Sequence, residues 1–485
     1  MNLKQKTIYG LSWSFIDNFI GQAVSFIVGI VLARLVSPGE FGMIAYIIFF
    51  VAISTSLVDS GFGTALIRKK DCTLTDSSTV FYFNLAVSLI FYAFLFFLAP
   101  FAETFFNEPG LSLVLKVAGA VLILSALGNV QLTLLVKRID FKTKAKISIT
   151  ADTLAGIIAV IMAYYGWGVW SLVCRSLLGQ LFTTALLWIF NEWRPKLVFS
   201  IRSFKELFGF GYKLALSGII DTIYKNIFYP IIGKSFSSAT LGQYSQAERF
   251  GSLFSTTLTI NIQRVSFPIL STIQEDPEKL KDGYKKMVKM TMIVSFAAMM
   301  GLAAIAKSLI VLLIGEQWLP CVPYLQLMCL AGMLYPLHAM NLNVITVKGR
   351  SDLFLKLEII KKLMSIPLIL IGIYLGVIAL LIGNVIFSFF SYLLNSYYSA
   401  KLIRYSSIEQ IIDILPTFLV SLGISLLVWG ISFLGWNHWI TLITQLGAGL
   451  ALTVGIYEIT GQSAYLEVKQ IILHLIRKII RRTNL

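Results

Sequence analysis

The sequence predicts an all-α integral membrane protein of about fourteen spanning helices, and three observations carry that prediction. The chain is 57% hydrophobic and 13% charged over 485 residues, whereas soluble domains hold about 45–50% apolar and about 25% charged residues. Two stretches, Leu363–Ala400 and Ile414–Tyr457, contain no charged residue. At about 1.5 Å per residue each is too long for one crossing and must turn. Finally, the basic residues gather in alternate loops.

Spanning helices need about 20 mostly apolar residues. On that basis spans are expected near 10–34, 41–66, 79–101, 111–136, 148–166, 168–190, 208–233, 240–270, 288–314, 321–346, 357–375, 377–400, 415–434 and 439–458. The first apolar stretch follows Lys4 and Lys6 like a signal peptide. Asp17, Asn18 and Gln22 interrupt it and it runs on to Leu35, which predicts an uncleaved first helix. The turn inside 363–400 is expected at Gly372–Gly376 and that inside 414–457 near Gly435–Trp439. Pro230, Pro268, Pro336 and Pro367 are candidate bends.

One set of loops holds Arg68-Lys69-Lys70, Lys137-Arg138 with Lys142, Lys144 and Lys146, then Arg194, Lys196, Arg202 and Lys205. It continues through Lys279–Lys289, Lys348, Arg350, Lys356, Lys401 and Arg404. The opposite set is almost free of Lys and Arg and includes Glu103, Glu108 and Glu316. The positive-inside rule then places both termini in the cytoplasm, which requires an even number of spans. It also accounts for most of the +16 net charge without nucleic acid as a partner. From about Ser463, Val468, Ile471, Ile472, Leu475, Ile476, Ile479 and Ile480 form a helical stripe flanked by Lys469, Arg477, Lys478, Arg481 and Arg482. This reads as a helix lying on the anionic inner leaflet, with a partner-binding helix as the alternative.

The chain carries a faint internal repeat. Leu35–Gly42 ends span 1 and opens span 2, and Ser235–Gly242 does the same for spans 7 and 8. Arg34 pairs with Lys234, Ser37 with Ser237 and Gly42 with Gly242, and Asp17 and Asp221 lie in the leading helix of each half. Parallel repeats of this kind imply two six-helix lobes related by a pseudo-two-fold axis along the membrane normal. The expected organisation is an N-lobe over 1–195, a C-lobe over 196–405, two appended helices over 406–460 and a basic amphipathic tail over 461–485.

Three segments resemble polysaccharide transporters of the Wzx type. They are Leu32-Ala33-Arg34-Leu35-Val36-Ser37-Pro38-Gly39-Glu40-Phe41-Gly42, Asp59-Ser60-Gly61-Phe62-Gly63-Thr64-Ala65-Leu66-Ile67-Arg68 and Leu241-Gly242-Gln243-Tyr244-Ser245-Gln246-Ala247-Glu248-Arg249. The fourteen-span layout extends the resemblance over essentially the whole chain. The resemblance implies the multidrug/oligosaccharidyl-lipid/polysaccharide exporter fold. It also implies alternating-access flipping of an undecaprenyl-pyrophosphate-linked oligosaccharide across a bacterial inner membrane, for O-antigen, capsule or exopolysaccharide. A polysaccharide polymerase and assembly proteins would be its partners beside the bilayer.

Ionisable groups within spans are costly and face a cavity or a partner. Lys213, Asp221 and Lys225 in span 7 share roughly one helix face, and Arg249 and Arg264 lie in span 8 about four turns apart. With Arg34 at the outer end of span 1, these basic groups are the candidates for a cationic cavity suited to pyrophosphate and acidic sugars. Internal pairing is the competing reading, as is a gate or structural role for Arg34. Asp17, Asp221, Asp152 and Asp59 are candidates for H⁺ or Na⁺ coupling, with structural ion pairs as the alternative.

No cofactor is expected. GxxxxGK[ST], GxSxG and HExxH patterns are absent from the sequence. Cys72, Cys174, Cys321 and Cys329 form no CxxC pair, and the three histidines are far apart, so neither a disulfide framework nor a metal site is expected. The outer loops are short, which argues against a membrane glycosyltransferase. A lipid II flippase and an ion-coupled multidrug antiporter of the same superfamily remain rival readings. The basic balance within the spans weighs against a cavity for organic cations.

Overall fold

The apolar runs fold as helices that end where glycine, proline or a capping side chain ends them. The computed structural model describes residues 3–59, 61–462, 464–470 and 473, with side chains from residue 9 onward apart from 11 and 59. In chain order the helices are α1 (Leu3–Leu35), α2 (Pro38–Asp59), α3 (Phe62–Arg68), α4 (Leu74–Phe106), α5 (Leu111–Gly119) and α6 (Val121–Lys137). Next come α7 (Phe141–Tyr164), α8 (Val169–Phe190), α9 (Ile201–Asn226), α10 (Phe228–Ser235), α11 (Ser238–Thr272) and α12 (Pro277–Ile314). The chain continues with α13 (Cys321–Gly332), α14 (Tyr335–Val347), α15 (Ser351–Leu375), α16 (Val377–Ile403), α17 (Ser407–Gly430) and α18 (His438–Thr460). No strand occurs among the described residues. Of the expected tail helix, residues 464–470 are helical, and most of its basic end lies outside the described residues.

Each expected span is one helix or a helix pair broken at a turn. The break between α2 and α3 falls at Gly61, whose φ is 67°, in the left-handed region that favours glycine. Gly376, with φ 100°, separates α15 from α16, and Gly435, with φ 70°, precedes α18, both where the charge-free stretches had to turn. Among the candidate bends, Pro230 follows the break between α9 and α10 and Pro336 follows that between α13 and α14. Pro268 and Pro367 instead sit inside uninterrupted helices. Among the described residues, eleven segments are long and apolar enough to cross a membrane by length and composition. The others, α9–α10, α11 and α15, are the ones that hold Lys213, Asp221 and Lys225, then Glu248, Arg249 and Arg264, then Glu358, Lys361 and Lys362. The molecule is a multi-pass membrane protein.

Several helices extend beyond the apolar core of their span because a cap lies further out. Thr73 Oγ1 accepts from Asp76 N at 3.1 Å while Asp76 Oδ2 accepts from Thr73 N at 2.9 Å, a reciprocal box that starts α4. Asp276 Oδ1 accepts from Glu278 N and Lys279 N, both at 3.1 Å, and Pro277 occupies the first position of α12. Its early turns carry Lys281, Lys285 and Lys289, which pair with Glu409 and Asp413 of α17.

The chain divides into two units, Met1–Ser245 and Gln246–Leu485, with the division inside α11. In the first, α1, α7 and α8 pack side by side, and α9 lies on α2, α3 and α4. The connector from Asn191 to Ser200 is strapped down: Asn191 Nδ2 donates to Gln131 O at 3.0 Å, Lys196 N to Ser78 Oγ at 3.1 Å and Ser200 N to Thr79 Oγ1 at 3.0 Å. In the second unit α12 packs on α13, α17 and α18, and α16 packs on α13, α14 and α15. A core of Leu280, Tyr284, Val288, Met292, Phe296 and their neighbours joins α12 to α14, α16 and α17.

Candidate functional site

Buried carboxylates in apolar helices need partners, because desolvation of a lone charge is too costly. In the first unit Asp17, 8% exposed, accepts from Lys144 Nζ at 2.5 Å, which ties α1 to α7. Arg175 on α8 donates through Nη2 to Ser25 Oγ at 2.9 Å and Ser25 O at 3.4 Å, tying α8 to α1. Asp152 on α7 is electrostatically coupled to Arg175 and also to Asp17. Two carboxylates and two cations therefore form one network across three helices. Both acids were expected as ion-coupling candidates; Asp17 is ion-paired with Lys144, and Asp152 lies in the field of the Arg175 charge. Lys144 was expected in a loop, but α7 begins at Phe141, with Asp140 Oδ1 capping it by accepting from Thr143 N at 3.1 Å. The early cap places Lys144 in the first turns of the helix.

On α9 two of the expected residues pair with each other. Asp221 Oδ2 and Lys225 Nζ are 2.7 Å apart at i, i+4, and both side chains are more than half exposed. Lys213 is exposed, with its ammonium 5.9 Å from the Tyr212 ring centroid. Internal pairing thus describes Asp221, whereas Lys213 brings a cation to that helix in contact with an aromatic ring. Arg34 is exposed at the end of α1. Asp59 is the last residue of α2, and its side chain lies outside the described ones. In the second unit Arg249 is half-buried and Arg264 is exposed, both on α11.

His338 was not singled out in the sequence, since no other histidine lies near it in the chain. It joins α14 to α16: Nε2 is 3.2 Å from Ser388 Oγ and Nδ1 is 3.4 Å from Asn395 Nδ2. Ser388 Oγ donates to Ala331 O at 2.9 Å, so it accepts from Nε2–H. Nδ1 then accepts from Asn395, and the ring is a neutral imidazole with both nitrogens satisfied. Nearby on α16, Ser399 Oγ donates to Asn341 Oδ1 at 2.5 Å. This polar seam packs three helices and leaves the ring no free nitrogen for an ion.

Ionisable groups held within membrane helices mark solute or ion pathways. The family model described as "Polysaccharide biosynthesis protein" matches residues 31–323. The lipopolysaccharide biosynthesis protein WzxC of Escherichia coli (strain K12) is 26% identical over 445 residues, covering 89% of this chain and 90% of that protein. The teichuronic acid biosynthesis protein TuaB of Bacillus subtilis (strain 168) is 24% identical over 354 residues, 73% of each chain. The succinoglycan biosynthesis transport protein ExoT of Rhizobium meliloti (strain 1021) is 27% identical over 327 residues, covering 67% of this chain and 66% of that one. Among solved structures, the lipid II flippase MurJ in an inward closed conformation superposes with a TM-score of 0.71 at 14% identity, covering 94% of this chain and 100% of that one. An inward-facing multidrug resistance MATE family transporter of the MOP superfamily superposes at 0.62 with 15% identity, covering 80% of this chain and 96% of that one. The two superpositions establish the exporter fold.

Proposed function

This chain belongs to the polysaccharide biosynthesis protein family, and we propose that it carries undecaprenyl-pyrophosphate-linked oligosaccharide units across the bacterial inner membrane by alternating access. The observation that carries the reading is the placement of basic groups on α9 and α11, the helices that open the second repeat. A lipid-linked saccharide presents a pyrophosphate in mid-membrane, and the candidates to receive it are Lys213 and Lys225 with Arg34 in the first unit and Arg249 and Arg264 in the second. Arginine offers a planar fork to phosphate oxygens and keeps its charge at any physiological pH. Relatives named for lipopolysaccharide, teichuronic acid and succinoglycan biosynthesis support a saccharide cargo over lipid II or an organic cation. The chain acts as a carrier, with no chemical step of its own.

The alternating loop charges support cytoplasmic termini, and the repeat supports functional lobes over 1–195 and 196–405 followed by the appended helices and tail. The network of Asp17, Lys144, Asp152 and Arg175 is the place where an H⁺ or Na⁺ gradient would act, because displacing one partner alters the charge balance of three helices. A polysaccharide polymerase and assembly proteins would take the cargo onward. In cells depending on this chain for surface polysaccharide, replacing Arg249 and Arg264 together by Ala abolishes that polysaccharide while the protein still inserts. Normal surface polysaccharide in the inserted double variant rejects the cavity assignment. Collapsing the proton and sodium gradients separately in vesicles identifies the coupling ion, and flipping that survives both rejects coupling.

A further inference from the structure

The two copies of the repeat touch each other, and they do so reciprocally. Pro38 opens α2 and Ser238 opens α11, at the same position of each helix. A Cβ built on Gly42 would lie 1.8 Å from the Ser238 carbonyl oxygen. A Cβ built on Gly242 would lie 1.9 Å from the Pro38 carbonyl oxygen and 3.0 Å from Gly42 N. Residue 38 thus meets 242 while 238 meets 42, which is what a two-fold axis passing between the two glycines produces. Neither glycine has a positive φ, so the backbone itself would accept alanine. Only the opposite helix forbids a side chain there.

Around this crossing the loops that the charge pattern assigns to the outer face fasten together. Tyr46 Oη donates to Gly233 O at 2.9 Å, and Lys234 Nζ donates to Phe105 O and sits 4.6 Å from the Phe105 ring centroid. The Glu108 carboxylate is hydrogen-bonded by the Ser238 side chain. Glu40 Oε2 accepts from Ser37 N at 2.9 Å and Oε1 from Val169 N at 3.1 Å, which holds the α2 entry to the start of α8. Two helix N-termini, each a positive pole, are brought face to face, and Glu40 supplies compensating negative charge.

We propose that the Gly42–Gly242 crossing is the outer gate of the carrier, latched by Glu108–Ser238 and Tyr46–Gly233, and that it must part before cargo leaves outward. The gate rests on the transport reading and deepens it. Its closed state needs two carbonyls to enter spaces that any Cβ would fill. Gly42→Ala and Gly242→Ala therefore hold the gate apart. Gly39→Ala is the matched control on the same helical turn, since its Cβ meets only Ser238 Oγ, at an ordinary 3.8 Å.

The test uses the full chain with its four native cysteines replaced and one cysteine introduced as Ala45→Cys. Ala45 is 1% exposed and lies one turn past Gly42 on α2. A membrane-impermeant maleimide is added from outside. The expected result is protection in the parent and in Gly39→Ala, with labelling about tenfold faster in Gly42→Ala and Gly242→Ala. Protection in both glycine variants overturns the proposal, as does equal labelling in all four proteins. If the glycine variants fail to accumulate, Tyr46→Phe with Ser238→Ala removes both latch hydrogen bonds without adding bulk and must also raise labelling. Unchanged labelling in that pair overturns the proposal too. The readout needs no lipid-linked sugar. A chain that labels as expected but moves no such lipid refutes the transport reading and leaves the gate, and the converse refutes only the gate.

Discussion

Asp17 is held by a residue 127 positions away in sequence, and both members of that pair are mostly buried. Exposed ion pairs contribute under about 1 kcal/mol, whereas removing one partner of a buried pair costs about 3–5 kcal/mol because the other charge is left alone. Asp17→Asn and Lys144→Met should each lower the thermal midpoint in detergent by several degrees, and the double variant should lose less than the sum. Additive losses would show that the two residues act separately. Glu108 makes a second prediction. Burial raises its carboxyl above the usual glutamate range, and the Ser238 hydrogen bond opposes the rise. Tyr46, the titratable group that senses it, faces it from α2. A proton therefore binds more tightly when Glu108 is buried in the closed latch than when it is in water. Closure should be favoured as the outer pH falls toward the carboxylate range and weakened as pH rises through the raised value. Ala45→Cys labelling, scaled to an exposed cysteine, should slow on acidification, and Glu108→Gln should flatten the response. An unchanged slope in that variant would assign the pH dependence elsewhere.

At the scale of elements, close helix approach depends on residues without side chains. A Cβ on Gly156 of α7 would come within 2.6 Å of Val28 Cγ2 on α1. Overpacking of this kind costs about 1–3 kcal/mol, so Gly156→Ala should lower stability in detergent and Val28→Ala should restore it in the same chain. Failure of the second change to rescue the first would mean that the contact is not what limits position 156. Helix ends divide by physical cause. The turns at Gly376 and Gly435 were legible because a charge-free stretch longer than the bilayer has to reverse. The early start of α12 at Pro277 was not, because hydropathy weighs apolar residues and the extension is made of Lys281, Lys285 and Lys289 set against acids of α17. The same blindness put Lys144 in a loop. The Asp276 and Asp140 caps were the signals that would have found both.

At the scale of the molecule, the crossings and the repeat were readable because the bilayer imposes both length and polarity on every segment. The partners of the buried charges were not readable. Asp17 with Lys144, Arg175 with Ser25 and His338 with Ser388 and Asn395 are pairings between helices, and no spacing within a helix encodes them. The repeat acquired a physical meaning that the sequence only hinted at: Gly42 and Gly242, aligned as counterparts, are each shaped to admit the other copy's backbone. Helices α9, α11 and α15 carry charge along their spans and fall outside the eleven segments that length and hydropathy alone mark as able to cross a membrane. On the proposed reading, the arginines of α11 help carry a lipid-linked pyrophosphate. The direct measurement is transfer of undecaprenyl-pyrophosphate-linked oligosaccharide between leaflets of vesicles holding the purified chain, followed by a lectin that reads one leaflet. The parent chain should move the lipid, and Arg249→Ala and Arg264→Ala should each slow it roughly tenfold or more, given about 1.5–3 kcal/mol per charged hydrogen bond. Transfer at the parent rate in the folded double variant, or none above protein-free vesicles in the parent, would contradict the account.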